Sequence, residues 1–173
     1  MEVFKSSDEI LRDLARAASD RPFRYIGVDG YDGAGKTRLA RMIANRIGAT
    51  VVSLDEYVEE GRGGYVPYLR IADIKATMDG ETRPVVLEGV CLLAAAERIG
   101  IGIDALVYVK RMSTSGMWTD ESECSPWEPV EAYIQQMKKN IRFFAELDEE
   151  IVRYHATYKP MDRAQYVLER TGF

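Results

Sequence analysis

The stretch that decides the fold of this chain is Gly30-Tyr31-Asp32-Gly33-Ala34-Gly35-Lys36-Thr37, which matches the phosphate-binding pattern G-x-x-x-x-G-K-[ST]. Its glycines let the backbone curl around an anion without Cβ clashes. Its N–H groups and the positive end of the following helix then attract phosphate oxygens. In this pattern the lysine reaches the terminal phosphates, and the threonine hydroxyl can ligate Mg²⁺. The residues expected to bind the phosphates of a nucleotide are Gly30, Asp32, Gly33, Ala34, Gly35, Lys36, Thr37 and Arg38.

The segments on either side of this loop favour phosphate binding over a plain flexible loop. Residues 24–29 form an apolar, partly β-branched run that predicts a buried strand. Residues 36–47 place leucine, methionine and isoleucine at helical spacing, and Gly48 is typical of a helix end. Strand, glycine loop and helix, in that order, are the arrangement that a phosphate-binding loop requires.

Further along the chain, predicted strands and helices alternate. A helix is expected to begin at a capping box formed by Ser6 and Glu9. One long amphipathic helix is expected over residues 130–151, after an irregular segment at 112–129. The other predicted strands cover residues 49–54, 84–87, 105–109 and 166–168, and the other helices cover 69–78 and 91–99. This alternation predicts an α/β fold with an open parallel sheet that binds ligands beyond the carboxyl ends of its strands.

Three acidic residues fall just beyond, or at the end of, predicted strands. Asp55 could take a proton from an acceptor hydroxyl and help to hold Mg²⁺ through water; the alternative is a helix N-cap. Glu88 is followed by glycine and suits a water-mediated Mg²⁺ ligand, with a turn carboxylate as the alternative. Asp29 directly precedes the loop, and it is expected to stabilise the turn through backbone hydrogen bonds rather than to ligate metal.

Length and composition exclude several classes of protein. The 173 residues are most simply one domain, and the net charge of −5 disfavours a broad basic surface for nucleic acid. Two cysteines are too few for a disulfide framework, and no apolar run approaches the ~20 residues of a membrane span. The first residues lack the pattern of a signal peptide. We therefore expect a cytoplasmic protein with no nucleic-acid or membrane partner, either a monomer or a homodimer.

Three segments together resemble the uridine kinase-like P-loop kinases, the group that includes uridine kinase, phosphoribulokinase and nicotinamide riboside kinase. They are residues 28–37, 53–57 and 86–90, and residues 154–167 resemble a C-terminal segment of related sequences. The resemblance implies a three-layer P-loop NTPase fold, with a five-stranded parallel sheet in the order 2-3-1-4-5 and helices on both faces. It also implies Asp55 as the catalytic base, Glu88 in the magnesium site, and ATP and Mg²⁺ as cofactors. The implied reaction is phosphorylation of a small hydroxylated metabolite, and a nucleoside-like acceptor is favoured.

The segment at 111–129, which resembles the family's lid, departs from the family pattern. Family members carry lid arginines that clamp the transferred phosphate, whereas here Lys110 and Arg111 begin the segment and no further arginine or lysine follows within it. The acidic residues in this segment, which would repel phosphates, are Asp120, Glu121, Glu123 and Glu128. Arg111 is the expected clamp, with Arg142 or Arg153 as alternatives.

The acceptor site is expected in residues 57–70. Tyr57, Tyr65 and Tyr68 could stack on a ring, while Arg62 and Arg70 could hold a polar or anionic group. The alternative is a solvated loop whose tyrosines pack on the edge of the domain. Trp118 and Trp127 could cover a ligand or anchor the lid, and the only histidine, His155, is expected to be structural.

These patterns predict an ATP-dependent small-molecule kinase. The catalytic residues are expected to be Asp55, Lys36 and Arg111, and the magnesium site is expected to involve Thr37, Glu88 and Asp55. Two alternatives stay open at this point. One is a nucleotide-binding regulatory module that transfers no phosphate, and the other is a kinase that acts on nucleoside monophosphates.

Overall fold

The structure is a computed structural model that describes residues 1–126 and 129–171. Within these ranges the chain alternates strands and helices in the order β1 (Glu2–Phe4), α1 (Ser7–Asp20), β2 (Tyr25–Gly30), α2 (Lys36–Ile47), β3 (Thr50–Ser53), α3 (Ile71–Asp79), β4 (Val85–Glu88), α4 (Leu92–Ile99), β5 (Ala105–Met112), α5 (Glu121–Cys124), α6 (Val130–Asn140), α7 (Glu146–Tyr158), α8 (Pro160–Arg163) and β6 (Tyr166–Thr171). Two short 3-10 turns, Leu54–Tyr57 and Val66–Tyr68, lie between β3 and α3.

In the described part of the chain, six parallel strands form one sheet in the order β1-β6-β5-β2-β4-β3. β2 lies in the middle, with Ile26 opposite Val86 of β4 on one side and Ala105 of β5 on the other. Strands β2, β4 and β5 are buried along most of their length, as parallel strands covered on both faces are. The carboxyl ends of β2, β3 and β4 therefore meet at one edge of the sheet.

The expected five-stranded sheet in the order 2-3-1-4-5 is wrong in its strand count. The sequence pattern missed β1, because three residues are too few to show an alternation. This strand pairs with β6 at the edge of the sheet, where Glu2 lies opposite Tyr166. The predicted strands one to five correspond to β2 to β6, and β1 is added outside the fifth of them.

The expected long helix over residues 130–151 is also wrong, since α6 and α7 are separate helices. α6 ends at Asn140, and the next residue, Ile141, has extended backbone angles. A new helix then starts where the Asp148 side chain accepts a hydrogen bond of 2.8 Å from the Ala145 N–H. The segment at 112–129 is not wholly irregular either, because α5 lies within it. At the start of α1, the Ser6 hydroxyl caps the Asp8 N–H.

Helices cover both faces of the sheet, and alternate strand residues point to the two faces. Leu87 and Tyr108 pack on the side of α3, α4 and α7, together with Ile151. Val86 and Val107 pack on the opposite side, against α1 and α2. None of the helices in the described part of the chain is long and apolar enough to span a membrane. The assignment of residues 1–173 to a single domain stays a prediction.

Candidate functional site

The phosphate loop joins β2 to α2 at the carboxyl edge of the sheet. Gly30 and Gly35 have φ angles of +148° and +91°, a region that side chains with a Cβ rarely adopt. A Cβ on Gly30 would also lie 2.5 Å from the Val109 carbonyl oxygen. Gly35 is the N-cap of α2, and none of the described side chains caps this helix. The first N–H groups of this twelve-residue helix are thus available to an anion.

Charged side chains border the loop on both sides. Lys36 is buried, and its Nζ donates a hydrogen bond of 2.9 Å to the Tyr31 carbonyl of the same loop. Asp32 accepts a bond of 2.8 Å from the Gly33 N–H and so stabilises the turn. Arg38 is exposed and lines a cavity of about 390 Å³ beside the loop. The lysine therefore folds back over the space that the loop encloses.

Glu88 forms the centre of a buried polar cluster at the ends of β3 and β4. Its Oε1 accepts hydrogen bonds from the Ser53 hydroxyl at 2.6 Å and the Thr37 hydroxyl at 3.0 Å. Its Oε2 is buried and has no hydrogen-bond partner among the described residues. A buried carboxylate satisfied only by hydroxyls is costly unless a cation joins it. This oxygen, next to a threonine hydroxyl, fits Mg²⁺.

The described residues contain no group of three or more His, Cys, Asp or Glu side chains that could hold a metal ion. Such a cluster is not what Mg²⁺ requires at a phosphate site. The ion usually takes one or two protein oxygens, several waters and the phosphate oxygens of its substrate. Thr37 and Glu88 provide ligands of this kind.

Asp29, at the end of β2, is completely buried directly before the loop. Its Oδ1 accepts a bond of 2.8 Å from the Gly30 N–H, and its Oδ2 accepts a bond from the Tyr154 hydroxyl. Burial raises the pKa of Asp29 to about 6, and the bonds from Tyr154 and Gly30 and the charge of Lys36 offset part of that increase. Its contacts are those of a turn-stabilising carboxylate, as the sequence indicated.

Asp55 lies in the first 3-10 turn after β3 and is exposed. Its Oδ1 accepts a hydrogen bond of 2.5 Å from the Tyr65 hydroxyl. Because β3 and β4 are neighbours, with Ser53 opposite Glu88, Asp55 and Glu88 follow adjacent strands at the same edge of the sheet. Phosphate loop, threonine hydroxyl and two strand-end carboxylates thus come together at this edge.

The fold is shared with a solved structure. A possible uridine kinase from Bacillus stearothermophilus aligns over 94% of this chain and 98% of its own, with a TM-score of 0.52 and 15% identity. This chain shares its fold with that possible uridine kinase. The shikimate kinase from Acinetobacter baumannii, solved in complex with shikimate, aligns over 90% of this chain and 87% of its own, with a TM-score of 0.43 and 20% identity. Comparisons with protein-family models and with curated protein sequences gave no match.

Two of the three arginines expected to clamp phosphate are paired with carboxylates. Arg111 pairs with the buried Asp120, and its guanidinium lies 5.9 Å from the centre of the Tyr31 ring in the loop. Arg153 pairs with Glu131 and Glu149. Arg142 is exposed over the Phe143 ring. Of the three, Arg111 is the one placed beside the phosphate loop.

The tyrosines expected to contact an acceptor are in different environments. Tyr65 is buried, and its ring is therefore not open for stacking on an acceptor. Its hydroxyl donates a hydrogen bond to Asp55. Tyr57 is half-buried, and its hydroxyl lies 2.9 Å from that of Thr77 on α3. Tyr68 is half-buried, and the Arg62 guanidinium carbon lies 5.3 Å above the centre of the Tyr68 ring. Arg70 binds the carbonyls of Val58 and Glu56 and the carboxylate of Asp73.

Two residues that were not predicted as site residues reach the phosphate loop, or the residue just before it, from distant parts of the chain. Arg170 on β6 lies opposite Arg111 on β5, and its Nη1 donates to the Ala34 carbonyl at 3.3 Å. Tyr154 on α7 reaches Asp29. Tyr154 begins the C-terminal segment that resembles related sequences, but nothing in that segment indicated a contact with Asp29. Arg170 lies in no motif, and only the pairing of β5 with β6, had its register been known, would have brought it to the loop.

The aromatic side chains of the lid and the histidine have structural contacts. Trp118 packs edge-on against Tyr108 at 6.3 Å, and Lys110 lies over its ring at 4.5 Å. Trp127, the other tryptophan predicted to cover a ligand or anchor the lid, lies outside the described residues. His155 is buried, with hydrogen bonds to the Ile151 carbonyl and the Tyr108 hydroxyl, both at 2.8 Å.

Proposed function

We propose that this chain is an ATP- and Mg²⁺-dependent kinase that transfers the γ-phosphoryl group to a hydroxyl of a small metabolite. The observation that carries this proposal is the cluster of Thr37, Ser53 and Glu88 beside the phosphate loop. Glu88 is fully buried, it is bonded to the loop threonine, and one of its oxygens has no hydrogen-bond partner in the part of the chain that the structure describes. A bound magnesium nucleotide would complete the environment of this oxygen. The fold shared with a possible uridine kinase agrees with it.

In the proposed reaction, the chain mainly provides positioning and positive charge. The N–H groups at the start of α2 bind the phosphate oxygens, and Lys36 exchanges its bond with the Tyr31 carbonyl for one with the terminal phosphates. Thr37 and Glu88 would hold Mg²⁺, with Asp55 contributing through water. Bound Mg²⁺ supplies further positive charge to the β- and γ-phosphate oxygens.

Asp55 is the proposed base. It follows β3 at the carboxyl edge of the sheet, with β4 between it and the strand that leads into the loop, and it is exposed to an incoming acceptor. From there it orients the acceptor hydroxyl and takes its proton. A nucleoside-like acceptor is favoured by the resemblance of residues 53–57 to the uridine kinase-like group, and the half-buried rings of Tyr57 and Tyr68 offer surfaces for a base or sugar.

A nucleotide-binding regulatory module is the second candidate function. The ion pairs of Arg111 with Asp120 and of Arg153 with Glu131 and Glu149 favour it, because a kinase must have positive charge free for the transferred group. In a working kinase, Arg111 would have to leave Asp120 when nucleotide binds. A monophosphate kinase is less well supported, since Arg70 is already bonded to Asp73 and to two carbonyls.

The test is ADP release from Mg·ATP with a panel of nucleosides, sugars and vitamins, using the wild-type chain and the variant Asp55→Asn. We expect turnover with at least one hydroxyl compound, at least about 100-fold slower in the variant, and unchanged ATP affinity. The matched control is Asp79→Asn, an exposed aspartate at the end of α3, next to the start of β2 and away from the loop. Tight nucleotide binding without transfer to any compound would favour the regulatory module.

A further inference from the structure

The hydrogen bond between Tyr65 and Asp55 links the proposed base to the segment at residues 58–69. At 2.5 Å it is short, and a phenol that donates to a carboxylate forms a charge-assisted bond. The two partners differ in their surroundings. Asp55 is exposed on a turn, whereas Tyr65 is 5% exposed and fixed in the core. The buried partner therefore determines where the exposed carboxylate points.

The glycine after Glu88 makes room for this contact. A Cβ at Gly89 would lie 2.6 Å from the Tyr65 hydroxyl oxygen and 3.0 Å from the Leu54 Cβ. Gly89 does not have a positive φ, so its backbone conformation does not require glycine. What requires it is the close approach of the phenol to the end of β4. The Tyr65 hydroxyl consequently lies between the strand ends that bear Asp55 and Glu88.

Glu150 on α7 holds the backbone of Tyr65 in place. Its two carboxylate oxygens accept hydrogen bonds from the Tyr65 N–H at 2.7 Å and the Val66 N–H at 2.8 Å. One helical turn further on, Tyr154 donates to Asp29 beneath the phosphate loop. A single face of α7 thus supports both the segment that reaches the proposed base and the strand end that precedes the phosphate loop.

We propose that Tyr65 is a positioning residue for Asp55, an inference that rests on the proposed kinase function. By donating to Oδ1 it stops the exposed carboxylate from rotating and leaves Oδ2 directed at the acceptor hydroxyl. Glu150 and the space above Gly89 hold the phenol in the place where it does this. An exposed aspartate without such a partner would adopt the productive orientation only part of the time.

The test is the variant Tyr65→Phe, which keeps the buried ring and removes the hydroxyl. Its kcat is measured for ATP hydrolysis by water and for phosphoryl transfer to uridine. We expect the kcat of both reactions to fall roughly 10- to 100-fold, because Asp55 loses one hydrogen bond to its charged carboxylate. The KM for ATP should be unchanged. The matched control is Tyr158→Phe, which removes a tyrosine–carboxylate bond of the same length, to Glu97, outside the proposed site. This control should keep the wild-type kcat.

A double-mutant cycle separates positioning from a general loss of structure. In the Asp55→Asn background, Tyr65→Phe should cause no further decrease in kcat, because the group that it orients is gone. A merely structural role would lower the unfolding midpoint and reduce kcat equally in both backgrounds, which would overturn the proposal. An increased kcat would overturn it as well, since the hydroxyl would then compete with the acceptor.

Failure of this inference is distinguishable from failure of the proposed function. If Asp55→Asn abolishes turnover and Tyr65→Phe leaves it unchanged, only the role of Tyr65 is wrong. If the wild-type chain turns over no ATP with either water or uridine, and no compound of the wider panel is phosphorylated, the kinase function fails and the role of Tyr65 fails with it.

Discussion

Replacing His155 with asparagine should reveal how much stability this protein loses in acid through one buried ring. The imidazole is 4% exposed, and burial lowers its pKa to about 4 from an ordinary value of 6.5. A carbonyl can only accept, so Nδ1 carries the proton that bonds the Ile151 oxygen, and Nε2 accepts from the Tyr108 hydroxyl. A second proton on Nε2 would face that hydroxyl hydrogen, and it would have no solvent to hydrate it.

The sign and the size of the effect of His155 on folding stability follow from these two pKa values. The unfolded chain takes up the proton as pH falls through 6.5, whereas the folded chain takes it up only near pH 4. The folded state is therefore penalised progressively between these values, by about 3 kcal/mol in total at about 1.4 kcal/mol for each pKa unit. Asp29 acts in the opposite direction. Its pKa is raised from 3.8 to about 6, so its contribution to stability decreases as pH rises over that range. The contributions of His155 and Asp29 therefore largely oppose each other in the wild-type profile.

The assay is urea unfolding of the wild-type chain and His155→Asn between pH 4.5 and 7.5, followed by circular dichroism. At pH 7.5 we expect the variant to be about 1–3 kcal/mol less stable, because the Tyr108 hydroxyl loses the bond to His155 and keeps only its contact with the Cys124 sulfur. At pH 4.5 the difference in free energy of unfolding between the two proteins should be about 2–3 kcal/mol smaller, since only the wild-type chain is destabilised by its buried, unprotonated histidine. Asp29 is present in both proteins and cancels. His155 is the only histidine of the 173 residues, so no other imidazole contributes. A gap that stays constant over this pH range would refute the reasoning.

Two further predictions concern the buried carboxylates. Glu88→Gln keeps an oxygen that can accept from Ser53 and Thr37 but removes the charge, so ATP affinity measured by titration calorimetry should lose its dependence on Mg²⁺; an unchanged dependence would exclude Glu88 from the magnesium site. Tyr154→Phe removes the donor to Asp29 Oδ2 and the acceptor of the Leu93 N–H, and should lower the free energy of unfolding by about 2–3 kcal/mol at pH 8. Because Asp29 becomes protonated below about pH 6, the loss in urea unfolding should be smaller at pH 5, and an equal loss at both pH values would contradict this account.

The local part of the structure was predictable. The helix over residues 36–47 is confirmed at both ends, because helical spacing, the phosphate loop and Gly48 all act within a few residues of one another. β1 was not predicted, because its three residues form a strand only by pairing with β6. The break between α6 and α7 was not predicted, because the amphipathic spacing of the sequence continues across it. The Asp148 side chain that starts the new helix gives no signal strong enough to outweigh that periodicity.

The candidate site divides in the same way. Lys36 and Thr37 belong to one contiguous loop, and Asp55 and Glu88 each follow their own strand, so sequence reasoning could propose all four. The environment of Tyr65 could not be predicted, because its partners lie on different elements: Asp55 is near in sequence, but Glu150 is 85 residues away. A tyrosine in a glycine-rich segment has the same sequence signature whether it stacks on a ligand or reaches into the core.

The sequence by itself determined that this protein has a glycine-rich loop of the phosphate-binding pattern between a strand and a helix, with acidic residues where strands end. It could do so because glycine conformations, helix starts and strand ends depend on adjacent residues. Only the tertiary structure decided which side chains complete the site. Tyr154 reaches Asp29 across 125 residues and Arg170 reaches Ala34 across 136, and such contacts depend on how α7 and β6 pack against the sheet. Packing of distant elements is a property of the whole chain, and no short segment records it.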